Sequence, residues 1–323
     1  MIFSFLKNGI WIFVLAVLFC SCESSASGSA SEVSVLNWNL ETFFDANFDG
    51  NEYSEFKNSK SGWSMEKYSA RLKRLGDVLK KLDADIVVLE ELEKKEQIYD
   101  IFNILSGGFD FAKSYKYGAF AASTDAPIGC AVISRFPLSD VRVHEIFSDS
   151  EGKMPSMRPI MQINVSIDGK NLCLFVNHWK SKSGGSEQSE VWRNAQEENL
   201  SRLMSVACAE GSSVLAAGDF NRDIGEFIHE KNGDFNVRLR GSDNLFVYSP
   251  WLERDFDERG SYWYKDRWER IDHFFSCGGA KIVSFEPQTN GEWADNEGKP
   301  RKYKVYNGYG YSDHLPIMCR VSF

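Results

Sequence analysis

The chain has 323 residues, 43% of them hydrophobic, which is enough to bury one large α/β core. Its 46 acidic and 37 basic residues give a formal net charge of −9, which excludes a protein that binds nucleic acid through overall positive charge. An acidic chain that acts on a polyanion needs a local basic patch and a cation, and a surplus of carboxylates suits a divalent-metal site.

The N-terminal residues are typical of a targeting segment. Lys7 supplies a positive charge, and the apolar run over residues 10–19 is too short to span a bilayer. Cys22, preceded by the small Ser21, resembles the lipidated cysteine of a bacterial lipoprotein, and a simple secretion signal is the alternative. We expect an exported protein, lipid-anchored in the bacterial cell envelope or fully secreted. The predicted domains are a signal peptide over residues 1–22, a Ser-rich tether over residues 23–32 and one folded domain over residues 33–323.

The cysteines beyond the targeting segment are widely spaced and form no CxxC pair, which excludes a zinc framework. They are Cys130, Cys173, Cys208, Cys277 and Cys319. Their odd number leaves at least one thiol free, and the sequence does not decide whether any of them pair.

Short apolar runs alternate along the chain with segments of helical periodicity. In chain order we predict a strand over residues 33–38, an amphipathic helix over 65–82, a strand over 86–89 and a helix over 96–105. Strands over residues 118–122, 130–134, 141–147, 161–167 and 172–177 follow, with a turn at Asp168 and Gly169 between the last two. A helix over residues 190–208 and strands over 214–217, 271–275, 281–285 and 317–322 complete the set. Residues 45–64 and 251–270 are predicted to be long loops.

The many predicted hairpins decide between two fold classes. A doubly wound parallel sheet needs a helix at nearly every crossover, whereas these strands outnumber the helices about three to one. We therefore predict an α/β fold in which two mixed sheets pack face to face with helices outside them.

Acids, amides and histidines stand at the ends of several predicted strands. They are Asn39, Glu41, Glu90, Glu91, Asn177, His178, Asp219, Asn221, Asp272, His273, Asp313 and His314. Taken singly, each residue has an ordinary interpretation as a turn residue, a solvated charge or a structural histidine. Asp272 is the exception, because a carboxylate inside an apolar run is costly to bury unless it is paired. Six such segments together indicate a site in which hard oxygen ligands hold Mg²⁺, Mn²⁺ or Ca²⁺ and histidines assist attack by water on phosphorus.

The order of these segments resembles the endonuclease/exonuclease/phosphatase superfamily of metal-dependent phosphoesterases, which includes pancreatic deoxyribonuclease. The motifs that carry the resemblance are NWNLE, VLEEL, NHWKSK, GDFN, RIDHFF and SDHLP, and it extends from about residue 33 to residue 323. It implies a four-layer α-β-β-α sandwich of two mixed, mostly antiparallel sheets flanked by helices. The stretch that follows His178 further resembles the extracellular bacterial nuclease branch.

The resemblance also implies roles for individual residues. It assigns catalysis to His178, Asp219, Asn221, Asp272 and His314. Asp219 and Asn221 would orient or deprotonate the attacking water and hold the phosphate, and Asp272 would orient His314. It assigns the metal to Glu91 as the principal carboxylate, with Asn39, Glu41 and Asp313 nearby. The substrate-binding candidates are Lys180, Lys182, Arg158 and Arg193, and a solvated loop is the alternative for the lysines.

We therefore expect a monomeric, divalent-metal-dependent hydrolase, with Mg²⁺, Mn²⁺ or Ca²⁺ as cofactor, that cleaves DNA or RNA phosphodiesters. One alternative is a sphingomyelinase-like or other phospholipid or sugar-phosphate phosphoesterase. Another is a catalytically inactive surface binding module on the same fold. The aromatic residues of the 260–270 loop fit base stacking, core packing or a lipid-facing patch equally well.

Overall fold

The computed structural model describes residues 31–57, 59–110, 113–124, 126–146, 157–227, 235–241, 245–255 and 258–323. Of residues 13–16 and 228–229 it describes the backbone. The predicted lipidation site Cys22 lies outside the described residues.

The first sheet has seven strands. They are β1 Phe13–Ala16, β2 Glu32–Phe43, β3 Ile86–Leu92, β4 Tyr117–Ala121, β5 Gly129–Ser134, β16 Lys281–Pro287 and β17 Ile317–Ser322. Their order across the sheet is β1-β4-β5-β3-β2-β17-β16, and β2 and β3 are its parallel pair. The strand β1 lies within the predicted signal peptide and pairs with β4 at the edge of the sheet.

The second sheet has eight strands. They are β6 Leu138–His144, β7 Ile160–Ile167, β8 Lys170–His178, β9 Ser213–Asp219, β10 Ile228–His229, β11 Asn236–Arg238, β12 Phe246–Tyr248 and β15 Asp272–Gly278. Their order is β10-β11-β12-β15-β9-β8-β7-β6, with β8 and β9 parallel. A separate hairpin consists of β13 Tyr262–Tyr264 and β14 Arg267–Glu269. The helices are α1 Ser54–Lys57, α2 Met65–Leu82, α3 Gln97–Leu105 and α4 Ser186–Ala209.

The alternation of side chains along the strands builds the four layers. Val33 and Val35 of β2 join the apolar cluster that fills the space between the sheets and extends to α4, whereas Leu36 and Trp38 join a second cluster with α2 and α3. Helices therefore cover the outer faces of two mixed, mostly antiparallel sheets. The structure confirms the predicted sandwich, and α2 has the predicted bounds.

Several short strands were not predicted from the sequence, among them β1 and β10. The strands β11 and β12 and the hairpin β13–β14 have three residues each, too few for a periodic pattern to stand out. The hairpin lies inside the 251–270 segment that was predicted to be a loop. The described cysteines Cys130, Cys173, Cys208, Cys277 and Cys319 are free thiols. None of the described helices has the length and apolar character needed to cross a membrane.

His273 faces away from its neighbour Asp272, as the alternation of strand side chains predicts. Its ring is fully buried between Phe227, Phe275 and Phe220, and its Nε2 lies 2.8 Å from the backbone oxygen of Arg222. This burial lowers the pKa of His273 from 6.5 to about 4. His273 is therefore a neutral structural histidine.

We expect His273 to make the protein labile to acid. The unfolded chain protonates this imidazole below its ordinary pKa of 6.5 while the folded protein resists until about 4, so stability is lost as pH falls through that interval. Between pH 7 and pH 4.5 the loss from this group is about 2–3 kcal/mol. Urea unfolding of the parent and of His273→Phe at both pH values measures this loss of unfolding free energy. The variant should lack the part of the pH dependence that comes from His273. An equal loss in both proteins would assign the acid lability to other groups.

Candidate active site

The polar strand ends meet at one end of the sandwich because of the strand register. Asn39 of β2 stands opposite Glu90 of β3, and His178 of β8 opposite Asp219 of β9. Asp219 in turn stands opposite Asp272, the first residue of β15. Both parallel pairs thus end at the same edge, and the polar residues from each sheet project into one cleft.

The glycine of the GDFN motif lets β8 and β9 approach closely at this edge. Gly218 has φ +148°, and a Cβ there would lie 1.9 Å from the backbone oxygen of Asn177. Asn221 then takes a left-handed conformation, φ +47°, and its backbone N–H donates to Asp219 Oδ1 at 2.8 Å. The motif therefore forms a turn, and this turn holds the Asp219 carboxylate in place at the site.

A distortion of β3 turns Glu91 towards the cleft. Val87 and Leu89 face the helices, and regular alternation would send Glu91 after them. Instead Glu91 has φ +69° at a register shift in the ladder. Its Oε2 accepts the Thr42 backbone N–H at 2.5 Å, and its Oε1 lies 3.3 Å from Asn39 Nδ2. Backbone strain of this kind is concentrated at functional sites.

Asp219 lies at the centre of the cluster. Its Oδ2 accepts the side-chain amides of Asn39 at 3.0 Å and Asn221 at 3.1 Å. The same oxygen lies 3.6 Å from His178 Nε2 and 3.9 Å from His314 Nε2. Burial, together with the charge of Asp272 and against that of His314, raises the pKa of Asp219 to about 7.

The two imidazoles hold their protons differently. His314 Nδ1 lies 2.8 Å from Asp272 Oδ2, which makes this nitrogen the N–H donor and leaves Nε2 directed at the cleft. Burial opposes a charge on His314, but Asp272, Asp219 and Asp313 outweigh it and raise its pKa well above the ordinary value. Burial, with the charges of Arg158 and His314, lowers the pKa of His178 well below the ordinary value. Such a difference between neighbouring groups is typical of acid–base pairs.

The segment that carries His314 is held by its own turn. The Ser312 hydroxyl donates to the Asn39 backbone oxygen at 2.6 Å and accepts the His314 backbone N–H at 3.0 Å. The Trp38 indole donates to the His314 backbone oxygen at 3.0 Å. These bonds join the C-terminal loop to β2, so the imidazole and the Asn39 amide keep a common frame.

Glu90 is a buried acid whose position the sequence did not reveal. It is not a solvated charge: it is 0% exposed, and neither of its carboxyl oxygens has a hydrogen-bond partner among the described residues. Burial, together with Asp272 and Asp219, raises its pKa well above the ordinary value, so it is a neutral acid beneath the cluster. Strand alternation could have placed Glu90, because Ile86 and Val88, four and two residues before it, also face the second sheet.

Glu41 and Asp313 contact Lys302, a residue that the sequence did not single out. Lys302 Nζ lies 3.0 Å from Glu41 Oε1 and 3.1 Å from Asp313 Oδ2. Glu41 Oε2 also accepts the Tyr303 backbone N–H at 3.0 Å. Both Glu41 oxygens are thus engaged by the C-terminal loop, and the structure does not place Glu41 among the metal donors. Asp313 Oδ1 does reach the cleft, 4.0 Å from His314 Nε2.

Asn39 serves as a donor. Its Oδ1 accepts the Glu41 backbone N–H at 2.9 Å, while its Nδ2 faces Glu91 and Asp219. These hydrogen bonds hold the two carboxylates together, and the role of Asn39 at the metal stays a prediction.

The four predicted substrate-binding residues separate into two groups. Arg158 and Lys180 are half-buried beside His178, and the positive charge of Arg158 contributes to lowering the pKa values of both His178 and Lys180. Lys182 is engaged by Glu226 at 2.9 Å. Arg193 is wrong as a substrate contact. It is 0% exposed, and its guanidinium bonds to Glu190, to Ser189 and to the Lys180 backbone oxygen.

The donor set of the cleft fits a divalent cation. Glu91 Oε1 faces the cleft, and the ligand atoms of Asp219, Asp272 and His314 lie within 4.8 Å of one another. Asp272 Oδ1 is buried and has no hydrogen-bond partner among the described residues. Clustered carboxylate oxygens of this kind are the ligands that Mg²⁺, Mn²⁺ and Ca²⁺ prefer.

The chain is similar in sequence to a curated relative. The inositol phosphosphingolipids phospholipase C of Schizosaccharomyces pombe is 26% identical over 272 residues, which cover 80% of this chain and 58% of that protein. The chain thus spans less than two thirds of the relative's length.

Solved structures agree with the fold. Truncated TDP2 from Caenorhabditis elegans superposes with a TM-score of 0.59 at 18% identity, over 90% of this chain and 98% of the truncated one. The mannosyl-6-phosphatase Bt3783 of Bacteroides thetaiotaomicron gives 0.56 at 16% identity, over 90% and 100%. The family model described as "Endonuclease/Exonuclease/phosphatase family" matches residues 34–322. The chain therefore belongs to the endonuclease/exonuclease/phosphatase family, whose members are phosphoester hydrolases.

Proposed function

We propose that this protein is a divalent-metal-dependent nuclease that hydrolyses phosphodiester bonds of DNA or RNA. The observation that carries the proposal is the position of Asp219 Oδ2 between two imidazoles, 3.6 Å from His178 Nε2 and 3.9 Å from His314 Nε2, with Glu91 alongside. One carboxylate flanked by two proton-carrying groups suits attack by water on a bound phosphate.

Asp219 takes the proton from the attacking water. Its pKa of about 7 lies near neutral pH, where a general base works best. Asn221 and Asn39 hold the carboxylate through their side-chain amides. The charged His314, oriented by Asp272, presents its Nε2–H to the phosphate oxygens and stabilises the charge that develops there.

Glu91 is the principal residue that would hold the cation, because its Oε1 faces the cleft while Asp272 Oδ2 is already bonded to His314. Held there, a divalent cation would supply positive charge to offset the phosphate oxygens and the leaving oxygen. Asp313, whose Oδ1 also faces the cleft, adds negative charge to this region.

Local positive charge supports a nucleic acid as the substrate. Arg158 and Lys180 lie on the His178 side of the cleft, whereas Lys302 on the His314 side is ion-paired with Glu41 and Asp313. The cations on the His178 side fit a phosphate that neighbours the scissile one in a strand, even though the chain as a whole carries −9.

A phosphosphingolipid or other phospholipid diester is the second candidate substrate. The similarity to the phosphosphingolipid phospholipase C of Schizosaccharomyces pombe favours it, and the chemistry would be the same. A lipid anchor at Cys22, which we also propose together with export, would hold the enzyme at a membrane surface.

A panel of substrates tests the proposal. We expect the full chain with Mg²⁺ or Mn²⁺ to cleave DNA or RNA oligonucleotides. We expect EDTA to stop the reaction, because it removes the cation that would offset the negative charge of the phosphate. Liposomes containing phosphosphingolipid and a small synthetic phosphodiester are assayed in parallel. Hydrolysis of the liposomes without cleavage of nucleic acid would establish the second candidate. A protein inactive on every substrate with every cation would be a binding module.

A further inference from the structure

The hairpin β13–β14 is built directly onto the segment that carries His314. The Leu315 backbone N–H donates to the Ser261 oxygen at 2.7 Å, and Tyr262 forms an isolated antiparallel bridge with His314. At the tip, Lys265 and Asp266 have φ +46° and +61°, which is the tight turn that suits a two-residue hairpin loop. The hairpin therefore has a fixed position beside the cleft.

One face of the hairpin packs against the protein. Trp263 and Trp268 contact each other edge to face at 5.2 Å between ring centroids, and Trp268 packs against the apolar cluster beneath α2 and α3. Lys299 Nζ lies 4.1 Å from the centre of the Trp263 ring. The two tryptophans thus attach the hairpin to the body of the protein.

The opposite face carries two tyrosines that lie outside the core. The ring of Tyr262 lies 4.7 Å from the imidazole of His314, between centroids. Tyr264 follows outward, 6.0 Å from Tyr262 with 21° between the ring planes, and it is 45% exposed. Neither tyrosine belongs to an apolar cluster of the core. The rings of His314, Tyr262 and Tyr264 therefore form a row from the cleft into solvent, with 37° between the planes of His314 and Tyr262 and 21° between those of the two tyrosines.

We propose that Tyr262 and Tyr264 form a stacking subsite for an unpaired nucleobase next to the scissile phosphate. This inference rests on the proposed nuclease activity and deepens it, since it names single-stranded nucleic acid as the preferred substrate. Aromatic rings bind bases of any sequence through their flat faces, provided that the bases are not already stacked in a duplex. Lys265, whose Nζ lies 5.1 Å from the Tyr264 ring centre, supplies a positive charge for a neighbouring phosphate.

The charges at the tip of the hairpin argue against a lipid surface as the occupant. Lys265, Asp266 and Arg267 at the tip are charged and exposed, so the tip offers no apolar surface to bury among lipid tails. The tyrosine row instead continues from the His314 imidazole at the cleft.

The test compares Tyr264→Ala with Tyr264→Phe, which keeps a ring, and with Tyr99→Ala, which removes an exposed tyrosine from α3. The full chain and its variants are assayed on a single-stranded oligonucleotide, its duplex, and the single strand with one abasic site placed in turn on either side of the cleavage point. We expect the parent to prefer the single strand. We expect Tyr264→Ala to raise KM for the single strand about 10-fold with little change in kcat, and Tyr264→Phe and Tyr99→Ala to behave as the parent.

The abasic strands identify what the ring binds. When the abasic site replaces the stacked base, KM of the parent should rise about 10-fold relative to the intact single strand. KM of Tyr264→Ala should not rise further, because the variant has already lost the stacking contact. The inference is overturned if Tyr264→Ala leaves KM for the single strand unchanged, or if the variant raises KM relative to the parent equally on every abasic strand. It is also overturned if the variant impairs hydrolysis of phosphosphingolipid liposomes and not cleavage of nucleic acid. Failure of the parent to cleave any nucleic acid, with intact hydrolysis of a small phosphodiester, would reject the proposed nuclease activity itself.

Discussion

Asp219→Asn should lower kcat on nucleic acid by about 10³- to 10⁴-fold, because the variant keeps the shape of the side chain and loses its capacity to take a proton. In the parent, the amides of Asn39 and Asn221 hold a carboxylate that is 3.6 Å from His178 and 3.9 Å from His314. Single-turnover kinetics in Mg²⁺ measure the loss at the chemical step.

The stability of the same variant separates catalysis from folding. Because burial raises the pKa of Asp219 to about 7, holding this carboxylate ionised costs the folded protein free energy at neutral pH. We therefore expect Asp219→Asn to melt at the same temperature as the parent or higher. Asp168→Asn, in the β7–β8 turn at the opposite end of the second sheet, is the matched control and should keep the parent rate. A variant that retains more than a tenth of the parent kcat would remove Asp219 from the role of base.

Asp272→Asn should lower kcat by about 10²- to 10⁴-fold. Asp272 Oδ2 is 2.8 Å from His314 Nδ1, and an amide in its place no longer supports the charged imidazole or fixes its tautomer. Asp272 is a positioning residue, since it acts through His314. The position of the backbone is kept by the ladder with β9 and by the Trp251 indole, which donates to the Asp272 oxygen at 2.8 Å.

A pH profile distinguishes this role from a structural one. Since Asp272 contributes to raising the pKa of His314, the variant should lose activity on the alkaline side at lower pH than the parent does. The double variant Asp272→Asn, His314→Ala should be no slower than His314→Ala alone, because both act through one imidazole. Independent, additive losses would show that Asp272 has a separate function.

Several elements followed from local sequence. The helix α2 has the bounds that its spacing of apolar residues predicts, and Ser64 caps it by accepting the Lys67 backbone N–H. The polar strand ends also predicted most of the residues that share the cleft, because acids and histidines that end apolar runs in six segments seldom all belong to ordinary turns. The family is confirmed, whereas the extracellular nuclease branch stays a prediction.

Other features depended on contacts that no local pattern contains. Glu90 and Glu91 are adjacent in sequence, yet the left-handed backbone at Glu91 turns one carboxyl to the cleft and leaves the other sealed between the sheets. Arg193 was predicted to contact phosphate, but the fold buries its guanidinium against Glu190 and the Lys180 backbone. The hairpin could not be assigned to packing or binding before its two faces were known.

The amino-acid sequence alone determined the alternation of strands and helices, the family and the candidate residues for the site, because apolar periodicity and side-chain chemistry are local properties. The tertiary structure decided which of those residues share a cleft, which are sealed from water and which cations remain available to a substrate. Strand register, the distortion of β3 at Glu91 and burial set those outcomes. They arise only when segments that are far apart in the chain come into contact, such as those of Trp38 and His314, which are 276 residues apart.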